Sequence, residues 1–179
     1  MCIRDRLSSG LSSCYFDFDD DGRSSNFSNC EEGFGSTVTQ EISLSDFTGI
    51  EVNVDAQIYI SQGDEVEILV KGQENIIDEL ETRVRNDIWE IEFDDCIEDS
   101  DVLRIYITSP SLNYIANNGS GNIKSDDILK INDLEIKNNG SGEIQLSIEA
   151  DVVTTRNSGS GKLELEGVAA TLDLSLIHI

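Results

Sequence analysis

Histidine is almost absent from this chain. Its single copy, His178, is the penultimate residue, so the interior offers no imidazole as a general base or a metal ligand. A Ser-His-Asp triad is therefore excluded. Basic residues are also scarce, with 12 Lys and Arg against 36 Asp and Glu and a formal charge of −24. So acidic a chain is a poor partner for nucleic acid or an anionic membrane, and we expect neither as a ligand.

Proline is nearly missing as well. One proline, 14 glycines and frequent Val, Ile and Thr indicate an all-β protein. The apolar share of 38% is sufficient for a core. At this length we expect one domain preceded by a short leader.

The two ends of the chain could be encoded by a single DNA segment and its reverse complement. Residues 1–6 and 174–179 correspond to a DNA segment and its reverse complement, and that segment resembles a transposase adapter used in sequencing libraries. We therefore expect both ends to be adapter-derived and the residues between them to be an internal fragment of a longer protein.

Residues 7–35 are rich in Ser, Asp, Asn and Gly and are predicted to be a flexible acidic leader. Within them, the Leu-Ser-Ser-Cys sequence at 11–14 fits a bacterial lipobox, in which the cysteine is acylated. Cys14 is therefore the predicted lipidation site and the one predicted link to a membrane. An ordinary linker cysteine is the alternative.

An acidic cluster follows that cysteine. Asp17, Asp19 and Asp21 stand before Gly22 with the spacing that opens a calcium loop. Position twelve of such a loop is Ser28 rather than a bidentate Glu. The three aspartates are thus weak metal candidates, and a solvated acidic spacer is the simpler interpretation.

Three cysteines remain when Cys2 is set aside with the adapter-derived end, and an odd count requires explanation outside the cytosol. If Cys14 carries lipid, Cys30 and Cys96 are left to form a disulfide. That bridge would close a loop of roughly 65 residues and stabilise the fold by about 4 kcal/mol in the chain-entropy account. Two free buried thiols are the alternative.

Residues 36–173 form the predicted domain, and its first half shows strand patterns. Apolar residues alternate strictly over residues 50–60, which predicts one strand with a buried face. Apolar residues at helical spacing follow a capping Asn75, which predicts a short helical turn near residues 75–81.

Residues 82–93 predict a hairpin that turns at Asn86 and Asp87. Trp89 lies in its second strand and alternates with apolar residues. We predict that Trp89 is a core aromatic, and a sugar-stacking platform is the alternative.

The second half contains a repeat that determines the predicted fold. A glycine-serine-glycine corner occurs three times, and the copies start 21 and then 19 residues apart. A period near 20 residues with alternating strands between predicts a β-solenoid with one coil per copy. We expect the corner glycines to adopt positive φ and allow close stacking, and the corner serines to form a ladder about 4.8 Å apart. The corners are Asn118-Gly119-Ser120-Gly121, Asn139-Gly140-Ser141-Gly142 and Ser158-Gly159-Ser160-Gly161.

A serine between glycines invites comparison with the nucleophile turn of hydrolases. That motif is Gly-x-Ser-x-Gly with a His partner, and neither the spacing nor the His is present. We therefore expect no catalytic residue, no enzymatic activity and no cofactor.

Several motifs occur in order within residues 36–173. They are Phe-Thr-Gly-Ile-Glu-Val at 47–52, Ile-Tyr-Ile-Ser-Gln-Gly at 58–63, Trp-Glu-Ile at 89–91, Ile-Tyr-Ile-Thr-Ser-Pro-Ser-Leu at 105–112 and the three corners. Together they resemble the head GIN domain family, also called "putative autotransporter adhesins". The resemblance implies a right-handed parallel β-helix, exported by Gram-negative bacteria to the periplasm or the outer-membrane surface, commonly as a lipoprotein, with no established catalytic residue.

The leading functional hypothesis is a non-catalytic cell-envelope β-solenoid, an adhesin or scaffold lipoprotein. It would bind an extracellular glycan or protein through acidic outer faces. One alternative is a β-helix polysaccharide lyase or glycosidase, and a second is a calcium-stabilised structural protein of the envelope. The basic residues that a lyase could use are Lys124, Lys130, Lys137, Arg156 and Lys162.

Overall fold

A computed structural model gives the fold of residues 30–176. The predicted lipidation site Cys14 and the weak metal candidates Asp17, Asp19 and Asp21 lie outside these described residues. The helix is α1 (Glu74–Asp78). The strands are β1 (Glu31–Glu32), β2 (Thr37–Glu41), β3 (Gly49–Val52), β4 (Ala56–Gln62), β5 (Glu67–Gln73), β6 (Val84–Arg85), β7 (Ile88–Ile91), β8 (Ile97–Asp99), β9 (Leu103–Ser109), β10 (Tyr114–Asn117), β11 (Asn122–Asn138), β12 (Ile144–Asn157) and β13 (Leu163–Leu176).

Eleven strands form one mixed sheet. Its order is β2-β5-β9-β4-β11-β10-β3-β7-β6, with β12 paired to β11 and β13 paired to β12. The pairs β2·β5, β5·β9 and β6·β7 are antiparallel, and the other pairs of the sheet are parallel. The sheet curls into an open half-barrel around its apolar core. Strands β1 and β8 form a separate parallel pair.

The predicted right-handed parallel β-helix is therefore wrong, although the all-β class is right. The repeat correctly indicates parallel stacking, because β11, β12 and β13 pair in parallel. The strands outside the repeat bring antiparallel pairs into the same sheet. A sequence period reports only on the segments that repeat, so it contains no information on the direction of the others.

A bulge absorbs the unequal spacing of the copies. Lys124 pairs with Gln145, whereas Ile128 pairs with Ser147, so the register shifts between Lys124 and Ile128. Ser125 lies at this shift, and its hydroxyl oxygen accepts the backbone N–H of Ser147 at 2.8 Å. The two extra residues of the first copy are thus accommodated while the strands on both sides stay paired.

The strand predicted over residues 50–60 is two strands, β3 and β4, separated by a bend at 53–55. Val52, Val54 and Ala56 are all buried, so inward and outward side chains keep alternating through the bend. Because the alternation is unbroken, the apolar pattern cannot reveal that the backbone turns there.

The helical turn and the hairpin predicted between residues 74 and 93 are confirmed, but the predicted capping role of Asn75 is wrong, because Gln73 is the N-cap and Asn75 lies within the helix. Helix α1 overlaps the predicted turn at 75–81 and buries Ile76 and Ile77. Strands β6 and β7 form the predicted hairpin, with φ of 51° at Asn86 and 61° at Asp87. Positive φ at both central residues is what a tight two-residue hairpin turn requires, and Asn and Asp tolerate it.

Trp89 is a core residue, as predicted. Its side chain is fully buried, and its indole N–H donates to the carbonyl oxygen of Glu81 at 3.0 Å. Its ring packs against Phe47, with 5.9 Å between centroids. A ring enclosed in this way has no face on which a sugar could stack.

A disulfide joins Cys30 and Cys96, whose Cα atoms are 4.7 Å apart and which are 66 residues apart in sequence. Glu31, the residue after Cys30, donates its backbone N–H to the carbonyl oxygen of Cys96 at 2.7 Å. The bridge therefore fastens β1 to β8 at the N-terminal side of the domain.

Loss of this bridge is expected to lower the free energy of unfolding by about 4 kcal/mol, because it releases a long loop in the unfolded chain. We would replace Cys2 and Cys14 with Ser, so that only this pair remains, and compare urea denaturation with and without the further change Cys30→Ser/Cys96→Ser. Thiol titration of the unreduced, denatured parent should find no free thiol. Two reactive thiols there would show that the pair is not bonded.

Candidate functional site

The three glycine-serine-glycine corners stack on one another along one edge of the sheet. The Asn139 amide donates to the Asn118 side-chain oxygen at 2.8 Å, and Asn118 donates in turn to Asn53 at 2.9 Å. The Ser158 hydroxyl donates to the Asn139 side-chain oxygen at 2.7 Å. The three residues that precede the first glycine of each corner therefore form, together with Asn53, a polar ladder of four levels.

The corner serines contribute less to this stacking than the spacing predicts. Ser141 contacts Ser120 through their hydroxyl groups at 3.4 Å, a long hydrogen bond. No corresponding contact joins Ser160 to Ser141 within the described part of the chain. All three serines are exposed, and among the described residues none of their hydroxyls is hydrogen-bonded to a basic or acidic side chain.

Close approach, rather than positive φ, explains the corner glycines. Among the glycines of residues 30–176, positive φ occurs at Gly35 and Gly167, so the predicted positive φ at the corners is wrong. A Cβ added to Gly140 would overlap the carbonyl oxygen of Gly119 in the copy below. The predicted close stacking is therefore the feature that requires glycine.

A second ladder, of buried asparagines, lies inside the corners. Asn117 and Asn138 are fully buried and Asn157 is half-buried. Each side-chain amide donates to the carbonyl oxygen four residues later, at 2.7 Å, 3.0 Å and 3.1 Å in chain order. The sequence contains this signal, because Asn stands two residues before the first glycine of every copy, and the predictions missed it. The corners are thus architectural, and the candidate recognition surface lies elsewhere.

Two tyrosines stack on the solvent side of the sheet. Tyr59 on β4 and Tyr106 on β9 are direct neighbours in a parallel pair, with ring centroids 5.0 Å apart and planes 13° apart. The Tyr59 hydroxyl donates to the Gln57 side-chain oxygen at 3.2 Å. We call one set of solvent-facing residues the tyrosine face. It consists of the outward residues of β5, β9 and β4 and the outward residues within 122–124, 143–147 and 162–166.

The pairing register aligns side chains in rows across this face. Strands lie about 4.8 Å apart, so a row over six strands is about 24 Å long. The central row is Leu69, Tyr106, Tyr59, Lys124, Gln145 and Glu164. The next row contains Lys71, Arg104, Gln57 and Asn122.

Two cavities form a groove along the central row. One of about 480 Å³ is lined by Lys124, Gln145 and Glu164 among others. A second, of about 170 Å³, includes Gln57 and Tyr59 in its lining and shares Lys124 and Gln145 with the first. The groove therefore runs from the tyrosine pair toward β13.

The tyrosine face has no net formal charge on its strands, in a chain whose charge is −24. Its recognition chemistry thus differs from the acidic outer faces that the composition predicts. The balance consists of Lys71, Arg104, Lys124 and Lys162 against Glu67, Glu143, Glu164 and Glu166.

The two ends of the face differ in how these charges are paired. At the β13 end, Lys162 lies 3.1 Å from Glu143 and 2.8 Å from Glu164. Hydrogen bonding to Glu164 and then Glu143 raises the pKa of Lys162, and Lys162 lowers the pKa of Glu164. Lys71 and Arg104, at the other end, have no carboxylate within 4.0 Å among the described residues.

An acidic cavity of about 660 Å³ lies beside the disulfide. Nearby, desolvation raises the pKa of Glu79, and the charges of Asp95 and Glu31 raise it further. Within residues 30–176, no group of three or more His, Cys, Asp or Glu side chains is arranged to hold a metal ion. Stabilisation by calcium stays a prediction. The acidic residues of the cavity lining are Asp55, Glu92, Asp95, Glu98, Asp99 and Asp101.

The basic residues considered for a lyase do not converge on one place. Lys130 pairs with Glu149 at 3.7 Å, and Lys137 pairs with Glu135 at 3.0 Å while lying over the Tyr114 ring. Arg156 is the cross-strand neighbour of Lys137. Lys124 and Lys162 lie on the tyrosine face.

In the described part of the chain, no helix has the length and hydrophobicity needed to cross a membrane.

A family model described as "Putative auto-transporter adhesin, head GIN domain" matches residues 46–177. The chain belongs to this family. The predicted family membership is thereby confirmed, and the family description is that of exported cell-surface proteins. None of the curated proteins matches this head GIN chain.

Solved structures share the fold of this head GIN domain. A "putative adhesin" from Bacteroides fragilis is 23% identical with a TM-score of 0.75, and the match covers 83% of this chain and 71% of that one. A "putative adhesin" from Parabacteroides merdae is 20% identical with a TM-score of 0.75, and the match covers 82% of this chain and 63% of that one. A "putative lipid binding protein" from Parabacteroides distasonis is 23% identical with a TM-score of 0.62, and the match covers 78% and 70%. At these identities the likeness shows the fold alone.

Proposed function

We propose that this head GIN domain is a non-catalytic binding module of the bacterial cell envelope and that the tyrosine face is its recognition surface. The observation that carries the proposal is the grooved row of side chains beside the stacked Tyr59 and Tyr106. A face without net charge on a strongly acidic protein is a surface that other molecules can approach without strong repulsion. The family description supports a role in surface attachment.

The chemistry of the groove favours an extended glycan. Gln57 and Asn122 each accept one hydrogen bond through the side-chain oxygen, and no described residue accepts from their amide N–H groups. The Gln145 amide donates to Glu143 and Glu164, which leaves its oxygen to accept. Together they offer the donors and acceptors that neighbouring sugar hydroxyls require. Tyrosine adds apolar contact area together with a polar hydroxyl. A row about 24 Å long suits a chain of sugars better than a single small molecule.

The ionisation of the groove supports binding rather than hydrolysis. Glu143 and Glu164 share Lys162 as a partner, and Lys162 lowers the pKa of Glu164. The general acid of a glycosidase needs a raised pKa, because it must hold a proton at neutral pH. Lys124 is the remaining candidate base in the groove, so the polysaccharide-lyase alternative depends on it.

We further propose that the protein is held at the envelope by a lipid on Cys14. Residues 11–14 support this assignment through their lipobox pattern.

One structural neighbour is named a "putative lipid binding protein", which makes lipid the second candidate ligand. The lining of the groove by Lys124, Gln145 and Glu164 favours a sugar over an acyl chain.

Binding can be tested with the purified chain and immobilised dextran, xylan, mucin glycans and polygalacturonate. We expect at least one of them to bind, and Tyr59→Ala/Tyr106→Ala to weaken that binding by about tenfold or more through loss of the aromatic surface. Tyr114→Ala is the matched control, because Tyr114 lies on β10, away from the groove.

The same glycans should be recovered intact after prolonged incubation, as judged by size-exclusion chromatography. Binding that survives loss of both tyrosines would reject the tyrosine face as the recognition surface. If the wild type shortened a glycan and Lys124→Ala abolished that shortening, the lyase alternative would be established instead.

A further inference from the structure

Two cations face each other directly on the tyrosine face. Lys71 on β5 and Arg104 on β9 are opposite residues of an antiparallel pair, and both side chains point to solvent. Like charges in this position destabilise a sheet. Acidic residues outnumber basic ones by 36 to 12 in this chain, so an acid opposite either residue would be the expected arrangement.

The neighbours of this pair do not neutralise it. Lys71 lies beside Thr39 on its other side, and Arg104 lies beside Gln57, so both flanking residues are uncharged. The acids nearest by register are Glu41, two positions beyond the partner of Lys71, and Asp55, two residues before the partner of Arg104. Glu67 lies four positions from Lys71 on β5. Among the described residues, none of the three forms an ion pair within 4.0 Å of Lys71 or Arg104. The two cations are therefore available to an anion from outside.

The tyrosine pair stands immediately beside these cations. Tyr106 and Tyr59 lie two residues along the same strands as Arg104 and Gln57, on the same side of the sheet. Lys124 follows on the far side of Tyr59. An anionic group held between Lys71 and Arg104 would thus place whatever is attached to it against the aromatic pair and the groove.

We propose that the tyrosine face binds an acidic polysaccharide, with a sugar carboxylate between Lys71 and Arg104 and the adjoining sugars along Tyr106 and Tyr59. The guanidinium of Arg104 can form two parallel hydrogen bonds to a carboxylate, and Lys71 adds a point charge. This inference rests on the proposed function and specifies its ligand class.

The large negative charge of the protein does not prevent such binding at ordinary salt. Exposed charges separated by more than about 8 Å are largely screened at about 0.15 M ionic strength. The local cations, which touch the ligand, therefore outweigh the distant carboxylates. At low salt the repulsion reaches further, so we expect binding to strengthen as salt is raised from about 0.01 M to about 0.15 M.

The test uses affinity electrophoresis of the full chain through gels that contain polygalacturonate, alginate or hyaluronan, at about 0.15 M salt. At least one of these uronate polymers should retard the wild type. Arg104→Gln and Lys71→Gln should each weaken the retention by about tenfold or more, the usual loss when a charge-assisted hydrogen bond is removed. Lys130→Gln is the matched control, since Lys130 is an exposed lysine paired with Glu149 outside the face. Melting temperatures of Arg104→Gln and Lys71→Gln should be no lower than that of the wild type, because each removes one of two facing like charges.

Two comparison polymers distinguish the contribution of the carboxylate to binding from that of the sugar rings. Fully methyl-esterified polygalacturonate presents similar sugars without charge and should bind about tenfold more weakly. Equal retention by the ester and the acid would overturn this inference and leave the proposed function standing. Tighter retention by dextran sulfate than by every uronate polymer would overturn the carboxylate assignment. Failure of all three uronate polymers to bind would overturn the inference, and the neutral glycans tested above would then decide the proposed function.

Discussion

Gly140→Val is expected to lower the free energy of unfolding by about 3 kcal/mol or more, enough to unfold a marginally stable domain. The new Cβ would overlap the carbonyl oxygen of Gly119 in the copy below. That oxygen cannot move aside, because it accepts the backbone N–H of Ser141 at 3.1 Å and belongs to the stacked corner. The copies would have to separate, and the hydrogen bonds between them would be lost.

Urea denaturation followed by circular dichroism measures this effect. Ser141→Val is the matched control, since it introduces the same side chain at the next residue, whose own side chain already faces solvent. It should change stability by no more than about 0.5 kcal/mol. Equal stability of the two variants would show that the corners are not stacked as described.

Trp89→Ala is expected to cost about 3–5 kcal/mol, because it removes the largest fully buried side chain and leaves a cavity. The substitution also leaves the carbonyl oxygen of Glu81 without the indole donor. Trp89→Phe keeps most of the ring volume and the contact with Phe47, so its cost should be clearly smaller.

Thermal and urea unfolding of both variants measure the difference. Tyr106→Ala is a suitable control, since it removes an aromatic ring that is 37% exposed, and it should cost less than about 1.5 kcal/mol. If Trp89→Phe weakened glycan binding at unchanged stability, the discarded sugar-platform role of Trp89 would have to be reconsidered. A cost of Trp89→Ala no larger than that of Tyr106→Ala would contradict the burial of the indole.

Local features of this fold could be predicted from sequence, because they depend on neighbours along the chain. The hairpin at Asn86 and Asp87 is specified by two residues that tolerate positive φ, and the buried Trp89 by alternation within one strand. The parallel stacking of β11, β12 and β13 could be predicted too, because the corners repeat.

The proposed recognition surface could not be predicted in this way. Tyr59 and Tyr106 become neighbours only through the register of β4 and β9, and Lys71 meets Arg104 only because β5 runs antiparallel to β9. Both contacts are set by which strands pair and in which direction, and no local pattern encodes that choice. The same missing information led to the predicted β-helix.

The bulge between Lys124 and Ile128 has a consequence for how such proteins change in evolution. It lets copies that differ by two residues share one sheet, since every side chain beyond it returns to its original face. An insertion or deletion of one residue would instead exchange core and solvent positions along the rest of the strand. Relatives should therefore differ in repeat length mainly by even numbers of residues, and duplication of a whole copy should be the least disruptive way for the gene to lengthen the sheet.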